Sequence, residues 1–139
     1  MEYRQLGRTG TRVSQLCLGT MNFGGVTDEP TAAQIIDEAI DAGINFIDTA
    51  DVYGTGASEQ IVGNALKANG KRDDIVLATK AVASMGKGQN DRGASRFHLS
   101  RAVDASLKRL QTDRIDLFYL HVVDITTPMD EVFGQLDVL

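Results

Sequence analysis

The stretch Asn45-Phe46-Ile47-Asp48-Thr49-Ala50 decides the fold. It is apolar through Phe46 and Ile47, turns polar at Asp48, and runs into a glycine-containing loop through Tyr53 and Gly56. A short apolar run that closes on charge reads as a buried strand whose C-terminal end opens onto a polar loop. Upstream, Ala32, Ile35, Ile36, Ala39 and Ile40 recur at helical spacing behind Pro30, and Gly43 is placed to stop that helix. Downstream, Ile61, Val62, Ala65 and Leu66 share one face of a second helix, which Gly70 and the charged run Lys71 to Asp74 end.

The same alternation extends outward in both directions. After a short polar lead, Val13 to Leu18 reads as a buried strand ending at Gly19-Thr20, and Gly24 and Gly25 fall in the loop behind it. Ile75-Val76-Leu77-Ala78-Thr79-Lys80 is a third strand, and Ile115 to Leu120, ending at His121, a fourth. Between these two lies the longest loop, residues 81 to about 97, of a length that often carries function. It precedes a third helix with Leu99, Val103, Leu107 and Leu110 on its buried stripe and Ser100 and Arg101 turned outward. Pro128 opens a fourth helix with Val132, Phe133, Leu136 and Leu139 in phase. Apolar strands alternating with amphipathic helices in the order βαβαβαβα predict an α/β fold, a parallel sheet covered by helices with right-handed crossovers.

Composition narrows the class of partner. Hydrophobic residues make up 42% and charged residues 24% of 139 residues, as in an ordinary globular domain, and the net charge is −5. Lys and Arg are scattered, so nucleic acid and anionic membrane surfaces are not expected as partners. No apolar stretch approaches the roughly 20 residues needed to span a bilayer. Met1 to Gly10 lacks a signal-peptide pattern, and the single Cys17 has no cysteine to pair with. A cytoplasmic protein is the expectation, with Cys17 a buried, inert thiol.

Each of the four strands is apolar through its body and polar at its C-terminal end, at Gly19-Thr20, Asp48, Lys80 and His121. In a parallel α/β barrel these ends lie on one face, where barrel enzymes keep their active sites. Tyr53 leaves the same strand as Asp48 and can reach that face. An Asp, a Tyr, a Lys and a His brought together suit carbonyl reduction, in which hydride arrives at carbon and oxygen needs a proton. A phenol can give that proton, and a neighbouring lysine ammonium favours the phenolate left behind. Asp48 can pair with Lys80 and offset the cost of burying it, and a neutral His121 can donate a hydrogen bond that places the carbonyl.

Each residue taken alone also has a plainer reading: an Asp–Lys pair between neighbouring strands, a tyrosine packing a loop, a satisfied core histidine. His98, just before a helix, reads as a cap-region or surface residue. Asp28 and Glu59 near helix starts fit the helix dipole. No His, Cys or carboxylate grouping has metal-site spacing, so no metal is expected. Gly54-Thr55-Gly56 and Gly24-Gly25 match no dinucleotide or phosphate-loop fingerprint and read as turns.

Three separated motifs resemble the aldo-keto reductase family. Phe46-Ile47-Asp48-Thr49-Ala50-Asp51-Val52-Tyr53-Gly54 followed by Ser58-Glu59 is similar to that family's Asp-to-Tyr signature. Leu6-Gly7-Arg8-Thr9-Gly10 with Leu18-Gly19-Thr20-Met21 and Phe23-Gly24 resembles its opening strand. Asn90-Asp91-Arg92-Gly93, Leu107-Lys108-Arg109-Leu110, Asp113, Ile115-Asp116-Leu117 and Leu120-His121 resemble the subgroup with long substrate-facing loops. The resemblance implies a TIM-type (β/α) barrel of eight strands. Residues 1–139 would be its first four βα units, a half-barrel cut within the fourth helix.

It also implies NADPH as hydride source and an aldehyde, ketone or quinone as substrate. Tyr53 would be the proton donor, Lys80 and Asp48 its tuning pair and His121 the residue that positions the carbonyl. Gly19, Thr20, Met21 and Asp48 would lie near the nicotinamide ribose. In that family the contacts to the pyrophosphate and the 2′-phosphate come mostly from the second half, which these residues do not include. A half-barrel leaves its first and fourth strands as open edges, which calls for the missing C-terminal half or self-association through those edges. Two rivals remain at this point: a catalytically incompetent half-barrel or a non-catalytic binding or regulatory subunit of the same fold, as some family members are, and an open flavodoxin-like sheet whose polar strand ends hold a phosphate ligand.

Overall fold

A computed structural model describes all of residues 1–139. Its centre is a parallel sheet of four strands in chain order: β3 (Leu18–Gly19), β4 (Phe46–Asp48), β5 (Val76–Ala81) and β6 (Leu117–Leu120). Helices α1 (Glu29–Asp41), α2 (Ala57–Asn69) and α3 (Arg96–Leu110) fill the crossovers, and α4 (Met129–Leu136) follows β6. The expected βα alternation is therefore present, with β3 and β6 as the sheet's two edges.

One feature lies outside that pattern. The run Val13 to Leu18 is not a single strand. Residues Tyr3–Gln5 (β1) and Arg12–Ser14 (β2) form an antiparallel hairpin, and the sheet strand begins only at Leu18. The side chain of Asn45 fixes the change of direction, since its Oδ1 accepts from Ser14 N at 2.7 Å and its Nδ2 donates to Arg12 O at 3.1 Å. Between the two strands Cys17 is exposed, not buried.

The helices begin and end where their sequences specify. Asp28 caps α1 by accepting from Thr31 N at 3.0 Å, with Pro30 in the first turn, where its missing N–H costs nothing. Gly70 ends α2 in the left-handed region at φ 68°. On α2, Ile61, Val62, Ala65 and Leu66 are buried as their spacing predicts. They pack with Ile36, Ile47, Leu77 and Leu110 into the larger of two core clusters. Gly63 lets α3 close on this helix, because a Cβ there would lie 2.5 Å from Arg109 O.

The stripe on α3 is rotated from its expected position. Leu99 and Leu110 are buried, but His98, Ala102 and Ser106 complete the buried face, while Val103 and Leu107 are only half-buried. Likewise on α4, Val132 is buried with Gln135, whereas Phe133 is more than half exposed; the helix ends at Leu136, so Leu139, also more than half exposed, lies beyond it. Gln135 Nε2 donates to Ser100 Oγ at 3.1 Å, so Ser100 faces a neighbouring helix and not solvent.

The two faces of the sheet differ. Leu18, Ile47, Leu77, Phe118 and Leu120 pack under the helices. Register places Gly19, Asp48, Ala78 and Leu117 in one row on the opposite face and Lys80 beside Tyr119 in the next. On this inner face Phe46, Val76 and Leu117 are half-buried and Tyr119 is exposed. No helix is long and apolar enough to cross a membrane.

Candidate active site

The sheet register brings the strand-end groups together. Lys80 on β5 donates from Nζ to Asp48 Oδ1 at 2.5 Å, to Thr49 O at 2.8 Å and to the Tyr53 hydroxyl oxygen at 3.2 Å. These three acceptors surround an ammonium that is largely withdrawn from solvent. Burial pulls the Lys80 pKa down, but the hydrogen bonds to Asp48 and Tyr53 outweigh it, so the group is raised and stays protonated. Asp48 uses only Oδ1 here, which leaves Oδ2 without a protein partner.

Tyr53 arrives on a tight turn at residues Tyr53–Gly56, in which Gly54, Thr55 and Gly56 all have left-handed backbone. His121 follows β6, tied by its N–H to Ala81 O at 2.8 Å. Its ring meets the Tyr53 ring edge-on, with centroids 5.6 Å apart and planes at 83°. Burial first, then the Lys80 charge, lowers the His121 pKa against the opposing pull of Asp48. A lowered histidine is neutral at pH 7 and has one ring N–H to offer. All four residues expected to carry the chemistry thus converge on the C-terminal face of the sheet.

The residues expected near a cofactor divide into two kinds. Gly19 lies beside Asp48 in register, with nothing within 4 Å of where a Cβ would sit, and Met21 is 65% exposed. Thr20 is buried instead. Its hydroxyl is 2.7 Å from Ser58 Oγ, which in turn lies 2.9 Å from Thr49 Oγ1. This hydroxyl cluster ties the ends of β3 and β4 to the start of α2, and with its N–H on Asp48 O and its carbonyl on Ser58 Oγ, Thr20 is a structural tie and is not exposed on the face.

Two loops wall the site on the β5–β6 side. Asp124 joins them by accepting from Ala94 N at 2.8 Å and from the Thr126 and Thr127 hydroxyls at 2.6 and 2.7 Å. Thr126, Ala94 and Thr127 together hold its carboxyl well below the usual range. Gly93, at φ 89°, passes so close that a Cβ would lie 2.9 Å from Asp124 Oδ2. Val82, which immediately follows β5, has a φ of 98°, a strained value for a β-branched residue and the kind of backbone outlier found at functional sites. These loops flank an open cavity of about 570 Å³ that Ser84, Gln89, Arg92 and Val123 help to line.

A family model described as the aldo/keto reductase family matches residues 15–139. The chain belongs to that family. It is 51% identical to the uncharacterized oxidoreductase YrpG of Bacillus subtilis over 99% of its length, which covers 45% of that protein. It is 46% identical to the aldo-keto reductase YhdN of the same organism, covering 94% of this chain and 41% of that one. A probable voltage-gated potassium channel subunit beta of Oryza sativa is 44% identical over 99% of the chain and 42% of its own length. Among solved structures, the aldo-keto reductase AKR11C1 from Bacillus halodurans in its holo form superposes with a TM-score of 0.88 at 44% identity, over 99% of this chain and 46% of that one. The chain thus spans less than half the length of the relatives it matches, and its sheet is part of an aldo-keto reductase barrel. The flavodoxin-like alternative is set aside.

Sequence reasoning missed two buried polar groups that the fold brings to this region. Glu59 is wholly buried, accepting from Thr79 Oγ1 at 2.6 Å and from Arg109 Nε at 2.6 Å, and so serves the core and not merely the α2 dipole. Asp51 is also fully buried, and neither carboxylate oxygen has a hydrogen-bond partner. Burial, and then the nearby Glu59 charge, push its pKa up to about 7. The folded chain therefore holds a proton here that the unfolded chain has released, and stability falls as pH rises from about 4 towards about 7. Asp51→Asn should flatten that slope and raise stability above neutral pH by on the order of 2–4 kcal/mol. Urea unfolding of both chains at acid and at alkaline pH measures the difference; an unchanged slope would mean that the carboxyl ionises freely in the fold.

Proposed function

We propose that this aldo-keto reductase chain carries the catalytic centre of an NADPH-dependent oxidoreductase that reduces aldehydes, ketones or quinones. The carrying observation is that the Lys80 ammonium is bonded at once to Asp48 and to the Tyr53 hydroxyl, with His121 against the same ring. Reduction of a carbonyl puts negative charge on its oxygen, and a proton must arrive as the charge develops. Tyr53 gives that proton. Lys80 stabilises the phenolate that forms, Asp48 holds Lys80 in place, and a proton from solvent restores the phenol. His121 donates to the substrate oxygen and sets its distance from Tyr53.

A nicotinamide cofactor supplies the hydride that adds to the carbonyl carbon. The free Asp48 Oδ2 and the unobstructed Gly19 suit the ribose end of such a group, with the exposed Met21 nearby and Thr20 holding the strand end from beneath. The test is an NADPH titration of the 139-residue chain followed by cofactor fluorescence, with turnover of a small aldehyde and a quinone in the same samples. Saturable binding and turnover support the reading; a folded chain with no binding up to about 1 mM, beyond the upper range of typical enzyme KM values, overturns it for this chain. Molecular mass in the same sample separates a single chain from one whose inner face is covered by a second copy.

The similarity to potassium channel beta subunits favours a second reading, in which the same fold serves as an accessory subunit. It predicts cofactor binding without appreciable turnover, and a soluble partner domain that co-elutes with the chain.

A further inference from the structure

The open cavity of about 570 Å³ that the two loops flank has a lining of two kinds. Its apolar part comes largely from Val82, shortly beyond Lys80, and from Val122 and Val123, which directly follow His121. Val122 and Val123 are 52% and 88% exposed, so uncovered apolar surface adjoins His121. The remaining lining is polar, and its only charged side chains are Asp124 and Arg92.

Asp124 has no capacity left. Its Oδ1 accepts from the N–H and the hydroxyl of Thr126, and its Oδ2 from Ala94 N and the Thr127 hydroxyl. Those four donors occupy the acceptor positions of a carboxylate and offset its charge where it stands.

Arg92 is the reverse. No ion pair of the chain uses its guanidinium, and none of its N–H groups finds an acceptor in the protein, although its charge is permanent. The backbone that carries it is fixed all the same. On one side Asp91 N bonds to Gly88 O, and on the other Gly93 N bonds to Val82 O at 2.9 Å and Ala94 N to Asp124. A loop pinned on both sides of residue 92 thus presents a free, planar cation to a cavity that is otherwise neutral or already satisfied. A carboxylate matches that fork in shape and in charge. A phosphate ester, with nearly twice the charge, would leave an excess beside Asp124.

We propose that Arg92 selects carbonyl substrates that carry a carboxylate at the end of a short apolar body, as a formylbenzoate does. The proposal rests on the reading of the Lys80–Tyr53 centre as a carbonyl reductase. Arg92 takes no part in proton or hydride transfer; it acts on binding.

The test compares 4-formylbenzoate with 4-formylbenzamide, its uncharged counterpart of the same outline, with NADPH at about pH 7, where the acid is ionised. The acid should be preferred in kcat/KM by about five- to twentyfold, mostly through KM. Arg92 is exposed, so about 1 M salt should shrink the preference several-fold. Arg92→Gln should remove it and Arg92→Glu should reverse it. Equal kcat/KM for the two aldehydes, or a preference that survives Arg92→Gln, overturns the proposal and leaves the reductase reading intact. If neither aldehyde turns over, 4-(hydroxymethyl)benzoate and 4-(hydroxymethyl)benzamide are titrated instead while the Arg92 Nε–H resonance is followed by NMR. A shift with the acid alone would uphold the carboxylate site without the reductase activity. No shift, or the same shift with both, would overturn it.

Discussion

Tyr53→Phe should cost roughly 10²- to 10⁴-fold in carbonyl turnover while leaving NADPH affinity within about twofold. The substitution removes only the hydroxyl that Lys80 Nζ reaches at 3.2 Å. The ring keeps its edge-on contact with His121, and the left-handed turn that delivers residue 53 depends on Gly54 and Gly56, not on the phenol. Binding and folding should therefore survive, and the loss should fall on kcat. Equal turnover by the two chains would remove Tyr53 as proton donor and make Lys80 or a solvent chain the source. A matched loss of cofactor affinity would instead assign the ring a packing role beneath the ribose.

Glu59→Ala should lower stability by about 3–5 kcal/mol, the scale of removing one partner from a buried ion pair. The carboxylate is 0% exposed and satisfies Thr79 on β5 and Arg109 on α3 from its place in the first turn of α2. Alanine would strand both. Arg109 cannot easily move aside, because its side chain lies across Gly56, where a Cβ would come within 2.7 Å of Arg109 Cδ. A fall in Tm of about 10–20 °C is expected by calorimetry. Glu59→Gln, which can still accept from Thr79, should lose less. A midpoint unchanged in the alanine chain would show that Arg109 reaches solvent and that the pair adds little.

What the sequence revealed and what it hid divide along a physical line. Strand ends were legible because polarity changes abruptly at Asp48, Lys80 and His121, and parallel pairing in chain order then brings those ends together. Helices α1 and α2 were legible from caps and spacing, since Asp28, Pro30 and Gly70 act locally. The break between Ser14 and Leu18 was hidden, because it depends on Asn45, about thirty residues further on, bonding back to Arg12 and Ser14. His98 looked peripheral for a similar reason: α3 turns its His98–Ala102–Ser106 face inward, where its own Arg109 meets Glu59 of α2, and periodicity alone favoured Val103 and Leu107. Glu59 and Asp51 are carboxylates in a core, and spacing cannot signal a partner that only tertiary contact supplies.

Asp124 bears on how such a pocket can be altered by design. Its bonds to Thr126 and Thr127 stay within its own loop, and the one from Ala94 N crosses to the other wall, so replacing residues 122–128 without an acceptor at position 124 would strand the Ala94 N–H. A designer who wishes to transplant the substrate preference of a related reductase would therefore do better to graft residues 82–95 and 122–128 together, with Gly93 retained, than to shuffle either stretch alone.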